Sequence, residues 1–356
     1  MDVNTTSKKL LSLICLFAGL ILFIGALILD FSGSKVSFRG AMLVLGIILV
    51  LAGMFFFPSL KHHRTMVNII FLFPLLFTFA VTVIIPLILG IGYSFTDWNG
   101  IKLKNVVGFA NYAKMFTQPS FIWSILITFL FVVFNMILVN LVGFLLALLC
   151  TTKIKGLGFF RASYFLPNLI GGIVLGYIWQ FIFSNVVTKF TTSLFDYRYS
   201  MISETNTAFM AIIIVYVWQY AGYIMLIYIT GLNTVPRDVL EAAAIDGANA
   251  REVLFNIKIP MIASTFTICT FLTLTSAFKQ FDVNLALTNG TGSVDGFLGD
   301  NYLTNGTEMI ALNIYSTAVN KNNYALAEAK AVLFFIILAT VSILQVRISN
   351  KKEVEM

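Results

Sequence analysis

Apolar residues run through this chain in long blocks separated by short polar stretches. A helix rising about 1.5 Å per residue needs roughly 20 apolar residues to cross a ~30 Å hydrocarbon layer. Eight blocks meet that length: Leu10 to Leu29, Ala41 to Leu60, Val67 to Ile91, Phe121 to Cys150, Ala162 to Phe183, Ala208 to Thr230, Ile262 to Phe281 and Ala327 to Val346. The pattern predicts an all-α polytopic membrane protein with about eight transmembrane helices.

Composition agrees. Of 356 residues, 59% are hydrophobic and 11% charged, and the mean hydropathy is +0.91. A soluble domain carries roughly 25% charged residues, so this chain cannot hide its apolar surface in a water-facing globule. The net charge of +7 would suggest nucleic acid in a soluble protein; here the basic residues flank apolar blocks and read as topology signals. Cys15, Cys150 and Cys269 lie inside apolar blocks without a CxxC pair or a His partner, so they read as small core residues. No disulfide, metal or bound cofactor is implied. Lys8 and Lys9 precede an apolar block longer than a signal-peptide core and without a clean A-x-A exit, which favours an uncleaved first span.

Lys and Arg density in the short loops orients the spans. Loops assigned to the cytoplasm hold most of it, among them Lys61, Arg64, Lys153, Lys155, Arg237 and Arg251. The longer external stretches hold fewer, including Lys35, Lys102, Lys104 and Arg198. Both termini are therefore expected in the cytoplasm, and Lys279 and Lys330 near outer helix ends, snorkelling to water. Asp97 to Ser120 and Asp282 to Asn323 are external segments suited to meeting an outside partner.

The segment Gly231 to Pro260 is cytoplasmic, helical in pattern and too polar to insert. Pro236 suits the first turn of a helix, where its missing N–H costs nothing. Asp238 and Glu241 lie near the positive end of the helix dipole. The alanine-rich run Val239 to Ile245 continues the helix and lets another surface approach closely. Gly247 ends it in a left-handed cap, a second helix runs from Asn249 to Ile257, and Pro260 opens the next span. This is a helix, a sharp corner and another helix, offered to the cytosol between two long spans.

The spacing of Glu241-Ala242-Ala243, Gly247, Ile257, Ile259 and Pro260 resembles the EAA signature of permease subunits in binding-protein-dependent ABC importers, departing from it only by Ile259 in place of Leu. Asp246 and Ala248 fit its extended form. Tyr93-Ser-Phe-Thr-Asp-Trp98, Val107 to Tyr112, Phe278 to Asp282 and Leu287-Thr288 resemble the sugar-transport branch, the maltose and glycerol-phosphate permeases. The family's Gly-Gly-Pro after Leu-Thr is replaced by Asn289-Gly-Thr-Gly-Ser293. The resemblance implies a type I ABC importer permease core with two extra N-terminal helices. Residues 1–66 are then the additional helices, 67–120 the first core helix with an external segment, 121–346 the transmembrane domain, and 347–356 a cytoplasmic tail.

It further implies a bacterial plasma-membrane subunit that pairs with a second permease, usually an unlike chain, two copies of an ABC ATPase and a periplasmic or lipoprotein sugar-binding protein. Glu241, Ala242, Ala243, Asp246, Gly247 and Ala248 would couple it to the ATPase. No GxxxxGK[ST] phosphate loop occurs, so ATP and Mg belong to the partner and this chain is no enzyme. On the sixth span Tyr216, Gln219, Tyr220 and Tyr223 share one helical face, as Ser276 and Gln280 do on the seventh. Of these, Gln219, Tyr220, Tyr223, Ser276 and Gln280 align with or adjoin the sugar-holding positions of maltose-type permeases. The other reading of each is hydrogen bonding between helices. Trp179, Gln180, Asn135 and Asn140 read as helix packing, and His62 and His63 as a basic membrane anchor. An ion-coupled secondary transporter is the competing class, and would need mid-span carboxylates that the chain lacks.

Overall fold

The computed structural model describes residues 3–31, 38–56, 63–103, 105–152, 156–195, 199–297, 300–303 and 305–354. Lys35, Lys61, His62, Lys104, Lys153, Lys155 and Arg198, and the end of the second apolar block, lie outside the described residues. Among those described, six helices are long and apolar enough to span a membrane, or seven if a pair bent by 70° between Ala250–Met261 and Ala263–Phe278 counts as one span. The expected eight is thus not confirmed: of the second block, the described residues form a 17-residue apolar helix, Arg39–Phe55.

The chain divides into two compact units, Met1–Leu89 and Gly90–Met356. The first holds α1 (Val3–Phe31), α2 (Arg39–Phe55), α3 (His63–Phe79) and a π-helical turn at Ala80–Ile84. Helices α1 and α2 meet backbone to backbone. A Cβ at Gly19 would lie 2.8 Å from Gly46 O and one at Gly46 2.8 Å from Phe23 N, so only glycine allows this approach. Ser12 Oγ donates to Gly53 O across the same seam.

Next come α4 (Ile85–Ser94), α5 (Ala110–Phe116), α6 (Pro119–Cys150), α7 (Leu157–Leu169) and α8 (Gly172–Phe181), and a π turn leads into α9 (Thr188–Phe195). They are followed by α10 (Thr205–Leu232), α11 (Arg237–Ile245), α12 (Ala250–Glu252), a π stretch, α13 (Ile259–Met261) and α14 (Ala263–Phe278). The remainder is α15 (Asp282–Leu287), a hairpin of β1 (Val294–Phe297) and β2 (Asp300–Leu303), α16 (Ile310–Tyr315), a π turn and α17 (Tyr324–Val354). Val294 pairs with Leu303 and Phe297 with Asp300, a small antiparallel addition to the helices.

In the second unit α10 is the central helix, apolar and buried on most faces. Glycines bring its neighbours close: a Cβ at Gly222 would overlap the Tyr164 carbonyl of α7, and one at Gly143 of α6 would lie 3.1 Å from Ala221 O. On α6, Asn135, Val139, Gly143 and Ala147 are buried at spacings of four, while the bulkier Val133, Ile137, Leu141 and Leu145 are each more than half exposed. An apolar stripe that large turned outward fits a hydrocarbon solvent and not water. Asn135 and Asn140 donate to carbonyls one turn back, Phe131 and Met136. Asn140 also ties α6 to Thr273 of α14 and accepts from Tyr228 of α10.

Three expectations change. The fifth apolar block is not one helix but α7 and α8, parted at Ile170 and Gly171, both extended in ψ. Pro167 lacks an N–H and the following glycines resist neither bend nor break. The segment 282–323 is not an open loop: α15 packs on α8, α16 packs on α6 and α17, and Asn284, Thr288, Thr307, Glu308 and Asn313 are buried. Lys330 does not snorkel. It is fully buried, with Nζ donating to Asn313 Oδ1 and Thr317 Oγ1 at 2.8 Å each, because α16 and the π turn after it cover that side of α17.

Candidate functional site

The corner after α11 is held by local hydrogen bonds. Pro236 is the N-cap, its extended ψ of 140° placing the first helical residue at Arg237. At the other end Asp246 is the C-cap and Gly247 takes φ +79. Gly247 N donates to Ala244 O (3.2 Å) and Ala248 N to Ala243 O (2.9 Å), the bond pair of a Schellman motif. A Cβ at Gly247 would meet nothing within 4 Å, so the backbone angle and not space demands glycine there.

Asn249 then starts the next helix. Its Oδ1 accepts from Arg251 N and Glu252 N (3.0 Å each), and Glu252 Oε2 accepts from Asn249 N (2.7 Å). This reciprocal capping box satisfies donors that a helix start leaves open. The sequence carries it as Asn249-x-x-Glu252. Ala243 is buried and Leu240 packs on the core, whereas Glu241, Ala242, Asp246 and Gly247 are exposed and Ala248 is half-buried. Ile245 is 85% exposed and Val239 is also open, so the outward face of α11 is apolar, small at Ala242, and acidic at its flanks.

A separate cavity of about 520 Å³ opens where α7 breaks from α8, within the ~300–1,000 Å³ range of small-molecule sites. Asn168 to Gly172 form one wall, Gln219, Tyr220 and Tyr223 of α10 a second, and Leu272, Thr275 and Ser276 of α14 a third. Lys279 to Val283 close it. Irregular backbone at membrane depth is tolerated where it lines such a cavity. Gln219 Nε2 makes a long 3.4 Å bond to the freed Ile170 carbonyl. Gln280, 6% exposed, has its Nε2 without a hydrogen-bond partner. The wall at 282–286 stands close to α8 because of glycines: a Cβ at Gly172 would lie 2.6 Å from Asp282 Cβ, and one at Gly176 2.5 Å from Ala286 Cβ.

Five of the six residues singled out on the two spans, Gln219, Tyr220, Tyr223, Ser276 and Gln280, line this one cavity. Tyr216 does not. It is fully buried behind the wall, stacked on Tyr220 at 4.3 Å, and its hydroxyl pairs with Ser276 Oγ at 2.9 Å. One turn of α10 separates Tyr216 from the cavity side, and Phe131 of α6 covers it. Lys279 and Asp282 both line the cavity, and among the described residues no ion pair joins them. Trp179 packs on Phe183 and Trp218, and Gln180 reaches Leu287 O at 3.4 Å. The helix break and Asn168 were missed, although Pro167-Asn-Leu-Ile-Gly-Gly172 carries a proline and paired glycines that signal it.

Bundled membrane helices, an interrupted span beside a polar cavity, and a rigid helical corner outside the bundle define a transporter subunit. The chain belongs to the permease subunits of ABC sugar transport systems. It is 42% identical over 288 residues, 81% of this chain and 95% of the relative, to a probable starch degradation products transport system permease protein of Thermoanaerobacterium thermosulfurigenes. A multiple sugar-binding transport system permease protein of Streptococcus mutans is 31% identical over 76% of this chain and 90% of its own length. No family model matches the chain. Among solved structures, a chain of a bacterial ABC transporter that imports the acidic polysaccharide alginate has the same fold, with a TM-score of 0.69 at 17% identity over 82% of this chain and 97% of that one.

Proposed function

We propose that this permease passes a neutral oligosaccharide of the kind released from starch through the cavity between α8, α10 and α14. Its relative of 42% identity bears a name that assigns it to starch degradation products, and the lining suits such a solute: Tyr220 and Tyr223 offer ring faces, Gln219 and Gln280 offer amides. The observation that carries the reading is Gln280, buried yet with a free amide donor beside the cavity. Buried donors are costly to leave unmade, and a small shift of the wall that bares this one would let a sugar hydroxyl satisfy it.

A second permease subunit completes the pathway, and a sugar-binding protein delivers the solute from outside. Two copies of a separate ATPase bind and hydrolyse ATP with Mg; this chain binds no nucleotide. The corner from Pro236 to Glu252 faces the cytosol and docks on that ATPase through Glu241, Ala242, Ala243, Asp246, Gly247 and Ala248. Both termini lie on the same cytoplasmic side. Closure of the ATPase pair moves the corner, and the helices that carry it re-aim the cavity between the two faces of the membrane. Residues 1–66 are appended helices outside the transport core.

Uptake of radiolabelled maltotriose into proteoliposomes holding the complete transporter tests the cavity. Gln280→Leu keeps the side chain's bulk and removes its amide, so the account expects about a tenfold loss in the ratio of rate to KM. Uptake at the wild-type rate and KM by a normally assembled variant would remove the cavity from the pathway.

A further inference from the structure

Lys330 sits on α17 with 0% of its surface exposed. A buried ammonium is tolerated only where its donors are satisfied and its charge is balanced. Both acceptors of its Nζ, Asn313 Oδ1 and Thr317 Oγ1, are neutral, and the third side is the ring of Phe121 on α6, 4.9 Å away. The balancing charge lies across the Asn313 amide. Glu308, 3% exposed, accepts from Asn313 Nδ2 at 3.3 Å and from Asn305 Nδ2 at 2.7 Å. Asn313, itself fully buried, therefore bridges a cation and an anion with the two ends of one amide.

The backbone on either side of Glu308 holds the cavity wall. Asn284 of α15 donates to Thr307 O at 2.8 Å and accepts from Met309 N at 3.2 Å. Two residues earlier, Asp282 lines the cavity and presses on Gly172 of α8. The same stretch is fixed to α6 by Trp123 Nε1 on Gly306 O and by Ile310 N on Thr128 Oγ1, both 2.9 Å. Hydrogen bonds and backbone thus connect Lys330 through Asn313 to Glu308, and through its neighbours Thr307 and Met309 to Asn284 of α15.

We propose that Lys330 is a positioning residue for transport: with Glu308 and Asn313 it anchors residues 305–317 to α6 and α17, and so sets where α15 stands as a wall of the cavity. It never touches the solute. The proposal rests on the reading that this cavity takes the transported sugar.

The test is maltotriose uptake by the complete transporter in proteoliposomes, with KM and maximal rate expressed per assembled complex, for Lys330→Met, Glu308→Gln and the double variant. Lys330→Met is expected to raise KM about fivefold or more, with the maximal rate held within about twofold. The double variant removes both charges together and is expected to return KM to within about twofold of wild type. A lysine that only supports folding would lower the amount of complex and leave KM per complex unchanged, and that result overturns the proposal. If Lys330→Met does not assemble, Thr317→Val removes one acceptor and is expected to raise KM about twofold; an unchanged KM again overturns it. Gln280→Leu in the same assay separates the two readings. Normal transport by that variant sinks the cavity, whereas a defect there beside a wild-type KM in the Lys330 variants sinks only the anchor.

Discussion

The corner between α11 and α12 and the cavity beside α8 are both places where helices stop, and they stop for different reasons. At the corner every bond that fixes the shape lies within residues 236–252: the Schellman pair around Gly247 and the capping box of Asn249 and Glu252. At the cavity a helix breaks at Ile170, and its walls come from distant segments, as when Gln219 reaches the Ile170 carbonyl, 49 residues back. A locally bonded corner keeps its geometry while it is pushed. A cavity framed by separate helices changes shape whenever those helices shift. The first property suits an element that transmits force, the second a site that must open to two sides in turn.

The sharpest break of this contrast is Gly222→Val. The position lies on the cavity's framework, where α7 leaves no room for a Cβ, so overpacking is expected to cost about 3 kcal/mol or more. Membrane abundance and thermal denaturation of the purified complex should both fall, while normal values would show that the helices around α10 yield easily. Asn249→Ala should do less. Loss of this cap costs about 1 kcal/mol, and the maximal uptake rate is expected to drop several-fold with KM for maltotriose unchanged; a raised KM would mean the corner also shapes the cavity. Tyr216→Phe should do least. It removes one hydrogen bond to Ser276, worth about 1 kcal/mol of stability, and KM should stay at the wild-type value because the ring does not reach the cavity. A large rise in KM would place Tyr216 in the pathway after all.

How far the sequence could be read follows the same division. Hydrophobic length placed the long helices because crossing a bilayer is a requirement on each segment alone. The corner was legible down to Gly247, since a positive φ leaves a glycine behind in the sequence. The cavity face of α10 was visible in the spacing of Gln219, Tyr220 and Tyr223, yet Tyr216 fits that spacing equally well. Only Phe131, from another helix, decides that it faces inward. Lys330 shows the limit most plainly. Its distance from a helix end suggests snorkelling, but burial depends on Asn313 and Thr317 folding over it from a segment whose apolar pattern predicts no structure. The break at Ile170 went unseen for the opposite reason: hydropathy does not register where backbone bonds end.

The corner is the part proposed to drive the cavity, and Gly247→Val tests it directly. The substitution forces a β-branched residue into φ +79, a strain of about 1–3 kcal/mol at a surface position where a Cβ meets nothing. Complexes carrying it are expected to assemble in normal amounts and to receive sugar from a binding protein of unchanged affinity, while ATP-driven maltotriose uptake falls to a few per cent of wild type. Full uptake by an assembled Gly247→Val transporter would contradict the assignment of the corner.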